Sequence, residues 1–440
     1  MNATAAQLTA PPEARSFPRL AVVRQRFPAS PRIDVTRTIT DQLAPIASGL
    51  RPGARVAVGV GSRGIANLQA IVRAVLEVLR KAGAAPFILP AMGSHGGGTA
   101  EGQLALLAEY GVTEAALGVP IRAAMDVAAI GELPDGHPIV CSAAALRADA
   151  VLVINRIKPH TDFGGRLGSG LLKMLVVGLG KRVGAANFHA ASASLGYERV
   201  LRAAANVVTA RLPLLAGVAI VEDQRHQTAR LEVVRPADLV GREEVLCAEA
   251  ARLMPRLPFA EVDLLIVDRM GKNISGTGMD PAVIGRMIHG YSLAGDAERR
   301  RPHVWRLFVR DLTPESHGNA IGLGLADFTT TRLVQAMDRG VTVTNSLTAL
   351  SLQGAKVPIY FDTDREAIAA ALGSLGRTDT STAGVVRIAD TLSVETLLAS
   401  EALLAEAQEN NELEVVGAPE AIAFDANGNL PPLAESMLRR

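Results

Sequence analysis

The 440-residue sequence is poor in cysteine, in aromatic residues and in net charge. Its two cysteines, Cys141 and Cys247, are far apart and form no CxxC pair, which argues against a disulfide framework and a thiolate zinc site and fits a reducing compartment. Aromatic residues make up 3% of the chain and the formal net charge is +1. Without rings for base stacking or a basic surface, the chain is predicted to have no nucleic-acid partner.

Long apolar runs are also missing. A membrane-spanning helix needs about 20 apolar residues, and the longest clean run here is Leu214 to Val221. The N-terminus has no basic start followed by an apolar stretch, so we expect no secretory signal. The sequence therefore predicts a cytoplasmic protein with no membrane partner.

The pattern of apolar residues predicts an α/β fold with a mainly parallel sheet. Short apolar runs end at glycines or polar residues and alternate with segments of helical spacing. Listed along the chain, these are strand Arg55–Val60, helix Ile65–Ala82, strand Ala85–Leu89, helix Gly102–Tyr110 and strand Ala150–Ile154. Hydrophobic residues make up 48% and charged residues 20%, as in a soluble enzyme.

The length predicts two domains. Pro255 and Pro258 mark a boundary loop, so we predict α/β domains over residues 1–255 and 256–405, each with a mainly parallel or mixed sheet and flanking helices, and an active site in the cleft between them. Residues 1–30 are expected to form a loose arm or edge element. The second domain is predicted to contain strands at Val262–Val267, Gly340–Thr344 and Val357–Phe361. The tail, residues 406–440, is predicted to pack back on the first domain.

Gly59–Gly64 matches the GxGxxG pattern of dinucleotide-binding proteins and stands between a predicted strand and a predicted helix. Such a site also needs an acidic residue at the end of the next strand to hold the ribose, and residues 89–92 read LPAM. The missing acid disfavours NAD(P) binding, although a nicotinamide-dependent oxidoreductase stays open as an alternative. Arg63, on a glycine turn before a helix, is well placed to bind a carboxylate.

Lysine is scarce, because arginine supplies nearly all of the positive charge. The chain has six lysines, and Lys173 stands inside the apolar segment GLLKMLVVG. Only lysine offers a primary amine that can lose its proton and be acylated, so a lysine in this setting invites a chemical explanation. Taken alone, Lys173 could equally extend from an apolar helix face to solvent.

Three histidines accompany Lys173 in the same region. His95 follows one predicted strand in GSHGGG, His160 follows another in KPH, and His189 lies 16 residues after Lys173. Ligands bind at the carboxyl ends of the strands in open parallel sheets, so these side chains are expected to converge. A single histidine in a loop is more often solvated or bonded to a carbonyl group, and the prediction depends on the set.

Taken together, the GSHGGG, KPH and SGLLKM segments and the spacing to His189 resemble the nickel-pincer-nucleotide lactate racemase family. This resemblance implies that Lys173 carries a sulfur-bearing pyridinium mononucleotide in covalent linkage and that His189 is the protein ligand to nickel. It further implies that Gly168, Ser169 and Gly170 seat the cofactor phosphate through backbone N–H groups. Planar nickel(II) suits two sulfurs, a carbon donor and one imidazole.

The same resemblance implies that His95 and His160 are paired acid/base residues and that Arg63 binds the substrate carboxylate. Lys272 is a further candidate that could reach the carboxylate or the hydroxyl group. Removing the Cα proton of a hydroxy acid is difficult beside an ionised carboxylate, whereas hydride transfer avoids the carbanion. A histidine takes the hydroxyl proton, and the planar keto acid can be reduced on its other face. The implied activity is a 2-hydroxy acid racemase or epimerase, an isomerase that needs cofactor-maturation proteins as partners.

Two positions depart from the lactate racemase pattern. Val60 stands where the family has an aspartate, and Gly96 follows His95 where the family usually has arginine. Around Lys272 the spacing also differs from that of the family's substrate residues. We therefore expect a 2-hydroxy acid other than lactate as substrate. A non-catalytic protein that binds the pincer cofactor is a further alternative, although a carrier would not need both His95 and His160.

Overall fold

The computed structural model describes residues 16–61, 64–160, 165–287 and 302–433. The strands in these ranges are β1 Arg19–Gln25, β2 Arg55–Val60, β3 Ala85–Pro90, β4 Val127–Glu132, β5 Pro138–Ser142, β6 Ala150–Arg156, β7 Leu214–Glu222, β8 Thr228–Val234, β9 Glu261–Met270, β10 His303–Leu312, β11 Phe328–Thr330, β12 Ile359–Phe361, β13 Val385–Ile388, β14 Thr396–Ser400 and β15 Leu413–Ala421. The α-helices are α1 Val35–Ala47, α2 Leu68–Lys81, α3 Ala100–Glu109, α4 Glu114–Leu117, α5 Ala143–Leu146, α6 Leu171–Lys173, α7 Lys181–Leu195, α8 Tyr197–Arg211, α9 Leu239–Leu253, α10 Pro281–Ile284, α11 Thr331–Ala336, α12 Arg339–Thr348, α13 Asp364–Gly373 and α14 Glu401–Glu409.

Residues 29–254 form one compact unit around a sheet of order β3-β2-β6-β7-β8. The first four strands are parallel, and β8 runs antiparallel to β7. Successive side chains of a strand point to opposite faces, so Leu152 and Ile154 pack into one core cluster and Val151 and Val153 into the other. With both faces covered, the strands read as apolar runs, as in other buried parallel sheets.

The second unit combines residues 16–28 with residues 255–433. Its sheet has the order β12-β11-β10-β9-β13-β14-β1-β15. The strands from β12 to β13 are parallel, and β14, β1 and β15 continue the sheet with antiparallel pairing. The predicted α/β class, with mainly parallel or mixed sheets and flanking helices, is confirmed in both units.

Most predicted elements are present, with two informative differences. The helix predicted from Ile65 begins at Leu68, because Asn67 adopts a left-handed backbone conformation with φ of 57°. The prediction of a strand at Gly340–Thr344 is wrong, because this segment lies in α12. There the Asp338 side chain accepts a hydrogen bond from the Val341 N–H, which is a standard start for a helix.

The domain prediction also needs correction. Arg19–Gln25 is an interior strand rather than a loose arm, since it pairs with both β14 and β15. The tail strand β15 therefore packs on residues of the N-terminal segment, but within the sheet of the second unit. The chain passes from one unit to the other at Pro255, where we predicted the boundary. In the four described ranges, no helix is long and apolar enough to cross a membrane.

Candidate functional site

The candidate site lies in the unit of residues 29–254, at the carboxyl ends of parallel strands. His95 follows β3 and His160 follows β6, with β2 between these strands in the sheet. Parallel neighbours end at the same edge, so both histidines lie at one edge of the sheet. Arg63, predicted to follow β2 and to bind a carboxylate, lies outside the described residues.

Lys173 and His160 are direct neighbours. Nζ of Lys173 lies 3.3 Å from Nε2 of His160 and 3.4 Å from the hydroxyl oxygen of Ser169. Lys158 and Ser169 exchange two backbone hydrogen bonds of 2.9 and 2.8 Å, and this pairing brings the KPH turn beside the segment that enters α6. The amine therefore has a potential proton acceptor and a hydroxyl group within reach.

The helical segment around Lys173 is unusual. α6 continues into a π-helical turn, Met174–Gly178, before α7 begins at Lys181. Single π-helical turns interrupt the regular backbone pattern and occur frequently at functional sites. Lys173 is half-buried, whereas its neighbours Leu172 and Met174 are buried.

Tyr197 connects the candidate site residues and was not singled out from the sequence. Its ring centroid lies 4.4 Å from that of His160 and 5.7 Å from Nζ of Lys173. Its hydroxyl group donates a 2.8 Å hydrogen bond to the Gly168 carbonyl oxygen. Burial, with smaller contributions from Glu243 and Cys247, raises the pKa of Tyr197 well above its usual value, so the phenol stays protonated. Its rarity was the available signal, since the chain has four tyrosines.

His189 is connected to His160 by packed aromatic rings. Its ring lies edge-on to Phe188 at 5.9 Å, and Phe188 lies edge-on to Tyr197 at 5.4 Å. Tyr197 in turn contacts His160, so the predicted nickel ligand and the predicted base are joined by two packed rings. Edge-to-face aromatic pairs of this kind have preferred geometries, which restricts how these side chains can move.

His95 is exposed on the loop after β3. Its backbone N–H donates to the Met92 carbonyl oxygen at 3.1 Å, and its own carbonyl oxygen accepts from the side chain of Gln103. The loop is joined to the turn before α7 by a 3.3 Å hydrogen bond from the Gly93 N–H to the Gly178 carbonyl oxygen. The structure thus places His95 on an element that packs against the segment between Lys173 and His189.

The glycines around Ser169 are explained by packing. A Cβ atom on Gly168 would collide with the Lys158 carbonyl oxygen, and one on Gly170 would collide with Glu243. The N–H of Ser169 already donates to Lys158, and the N–H of Leu172 donates to a Glu243 carboxyl oxygen at 2.9 Å. The Ser169 N–H is therefore already used by the fold, and phosphate binding at Gly168, Ser169 and Gly170 stays a prediction.

The GxGxxG pattern has a packing explanation as well. A Cβ atom on Gly61 would lie 2.6 Å from Cε of Met174 and 2.7 Å from Oδ1 of Asn155. Glycine at this position thus allows the Met174 and Asn155 side chains to pack closely against the end of β2. This contact removes part of the reason for assigning Gly59–Gly64 to a dinucleotide.

Lys272 lies in the second unit, after β9. Its ammonium group donates to the Gly276 carbonyl oxygen at 2.6 Å and to the Asn345 side chain at 2.8 Å. A substrate role for Lys272 stays a prediction. Over residues 16–61, 64–160, 165–287 and 302–433, no group of three histidine, cysteine, aspartate or glutamate side chains could hold a metal ion.

One family model and several solved structures are similar to this chain. Residues 20–198 match the family model described as the lactate racemase N-terminal domain, whereas no curated protein matches. One similar solved structure is a protein from Thermotoga maritima, at 14% identity and a TM-score of 0.46, covering 62% of this chain and 70% of that chain. Another is the lactate racemase apoprotein from Thermoanaerobacterium thermosaccharolyticum, at 14% identity and a TM-score of 0.45, covering 92% and 93%. The matched residues 20–198 contain Lys173 and the three site histidines, so the similarity to the lactate racemase N-terminal domain includes the candidate site.

Proposed function

We propose that this protein is a racemase or epimerase of a 2-hydroxy acid and works with a nickel pincer nucleotide linked to Lys173. The observation that carries the proposal is the 3.3 Å distance between the Lys173 amine and the His160 imidazole. This pair lies in the region that matches the lactate racemase N-terminal domain. An amine must lose a proton before it can be acylated, and a neutral imidazole nearby can accept that proton.

The described residues fit such a group by their donor chemistry. His189 offers one imidazole nitrogen, and the described side chains supply no metal cluster of their own. A nickel ion at His189 would therefore take its remaining ligands from the cofactor, and planar nickel(II) accepts such a mixed set. Lys173 would hold the organic part. The hydroxyl group of Ser169, 3.4 Å from the amine, is available to orient the linkage.

When bound, the cofactor would supply a hydride acceptor for the substrate Cα. The chain's own contribution is to move the hydroxyl proton and to hold the carboxylate. His95 and His160 follow different strands, β3 and β6, so they are suited to approach a substrate from two directions. Each enantiomer presents its hydroxyl group differently, which is why two bases would be needed. Arg63 is proposed to bind the carboxylate, and Lys272 is a further candidate for substrate binding.

The proposal predicts a covalent adduct that depends on Lys173. Protein made in a nickel-fed host that produces the cofactor should show added mass by intact mass spectrometry, and Lys173→Ala should lose it. His189→Ala should keep the added mass and lose nickel, measured by elemental analysis, because the lysine bond does not involve the metal ligand. Lys158→Ala is the matched control and should keep both.

Three results would each contradict part of this proposal. Active protein without added mass would exclude the lysine-linked cofactor. An unmodified chain that binds NAD(P) tightly would favour the oxidoreductase alternative. A loaded protein that converts no 2-hydroxy acid would instead indicate a non-catalytic cofactor-binding protein.

Maturation proteins of the host are proposed as partners of this protein, so the adduct should be absent when they are missing.

The substrate is proposed to be a 2-hydroxy acid other than lactate. Val60 and Gly96 replace polar side chains that the lactate racemase pattern places near the substrate. A panel of single-enantiomer 2-hydroxy acids, followed by chiral chromatography, should show faster interconversion of a longer or polyhydroxylated acid than of lactate. If lactate is the fastest substrate in the panel, this assignment is wrong.

A further inference from the structure

Lys181 is a buried lysine that the proposed chemistry does not use. It is the first residue of α7, and its exposed fraction is 0%. Nζ of Lys181 donates a 2.6 Å hydrogen bond to the carbonyl oxygen of Pro90, the last residue of β3. The Lys181 side chain therefore joins the start of α7, the helix that carries His189, to the end of β3. The loop of residues 91–99, here called the His95 loop, begins at that strand end.

This arrangement is costly for the fold. Lys181 adopts a left-handed backbone conformation with φ of 57°, which is uncommon for residues other than glycine. Burial disfavours the charged ammonium and lowers the pKa of Lys181 to about 8, and a nearby Cys141 only partly offsets this effect. An apolar side chain of similar length would avoid the desolvation cost. A residue that carries such costs is best explained by what its hydrogen bond holds in place.

The backbones of the two elements also meet directly. A Cβ atom on Gly178 would lie 2.6 Å from the Ala91 carbonyl oxygen, so only glycine allows this approach. The Gly93 N–H donates to the Gly178 carbonyl oxygen at 3.3 Å. Residues 90–93 are therefore fixed to residues 178–181 at both ends of the contact, by the Lys181 ammonium at one end and the Gly93 amide at the other.

We propose that Lys181 is a positioning residue, whose buried ammonium holds the His95 loop against the start of the His189 helix. This inference rests on the proposed function, because the position of His95 relative to His189 matters only if His95 is a base and His189 binds nickel. Lys181 itself contacts neither substrate nor cofactor. Its contribution is to fix where the exposed imidazole of His95 stands relative to the segment between Lys173 and His189.

The test uses the full-length, unloaded protein and hydrogen–deuterium exchange. Lys181→Met keeps the length of the side chain but cannot donate to Pro90. We expect exchange at the Gly93, His95 and Gly98 amides to rise about tenfold or more, while amides in β6 are unchanged. Lys181→Arg keeps a donor and should raise exchange less. Lys81→Met, which removes an exposed lysine at the end of α2, is the matched control.

A purely structural role predicts a different result. If Lys181 only fills space, Lys181→Met should leave loop exchange within about twofold of the native protein, and that result would overturn the proposal. Should Lys181→Met fail to fold, Lys181→Gln decides, because its shorter side chain cannot reach the Pro90 carbonyl oxygen: loop exchange within about twofold of native in this variant would also overturn the proposal. In loaded enzyme, Lys181→Met should lower kcat about tenfold or more with little change in KM.

These readouts separate the two proposals. The exchange measurement requires neither nickel nor cofactor, so it reports on the His95 loop even if Lys173 proves unmodified. Absence of the adduct would overturn the proposed function. Unchanged loop exchange in an enzyme that does carry the adduct would overturn the positioning role of Lys181 alone.

Discussion

Glu243 is a carboxyl group buried behind the segment that carries Lys173. It is 1% exposed, and its carboxyl group accepts from the backbone N–H groups of Leu171 and Leu172 at the start of α6. Burial raises the pKa of Glu243 to about 7, and the two backbone hydrogen bonds only partly oppose this effect. The carboxyl group thus caps a short helix and is largely protonated below neutral pH.

This raised pKa makes a prediction about stability. In the folded protein Glu243 keeps its proton up to about pH 7, whereas in the unfolded chain it releases the proton near 4.5. Between these values the unfolded chain binds fewer protons, so the free energy of unfolding falls as the pH rises. Glu243→Gln cannot titrate. Its stability relative to the native protein should therefore improve by up to about 3 kcal/mol from pH 4.5 to pH 7.5.

Denaturant unfolding at several pH values measures this difference. Glu77→Gln, which changes an exposed glutamate on α2, is the matched control and should show no such trend. The neighbouring Tyr197 and Cys247 do not interfere, since burial also raises the pKa of each, that of Cys247 to about 11. A stability difference between Glu243→Gln and the native protein that stays constant across this pH range would contradict the assignment.

At the residue scale, the sequence was informative about which side chains meet and less so about why the glycines are present. The scarcity of lysine drew attention to Lys173, which the structure places beside His160. Gly168 and Gly170 are predicted to seat a phosphate, and the packing need at each was not visible in the sequence: each makes room for a group distant in sequence, the Lys158 carbonyl oxygen and Glu243. Lys181 was overlooked because its burial depends on Pro90, in a different strand.

At the element scale, apolar runs predicted the parallel strands well. Both faces of β2 and β6 are covered, so these strands are apolar throughout instead of alternating between apolar and polar residues. Gly340–Thr344 was misread because valine and threonine favour strands. The Asp338 cap outweighed that preference and started α12. A cap residue three positions before a β-branched run is the local signal that predicts a helix here.

At the scale of the whole molecule, the second unit depends on the N-terminal segment, because that segment supplies β1 to its sheet. β1 lies between β14 and β15 and bonds to both. Val23 of β1 belongs to one core cluster of this unit and Leu20 to another, since successive residues face opposite sides of the sheet. Removal of β1 would therefore open two cores and leave β15 without a partner strand. The other unit is continuous in sequence, and its two main core clusters use only residues between 29 and 254.

These differences predict unequal behaviour of the two halves when they are made separately. Residues 29–254 should fold alone and melt cooperatively, measured by circular dichroism. Residues 255–440 should not, because the sheet lacks an interior strand and both apolar faces beside it are uncovered. Adding a synthetic peptide of residues 16–28 should restore a cooperative transition, whereas the same peptide with Val23→Asp should not, since a buried aspartate would be desolvated without a partner. Cooperative melting of residues 255–440 without the peptide would show that β1 is dispensable and that the sheet closes by pairing β14 with β15 directly.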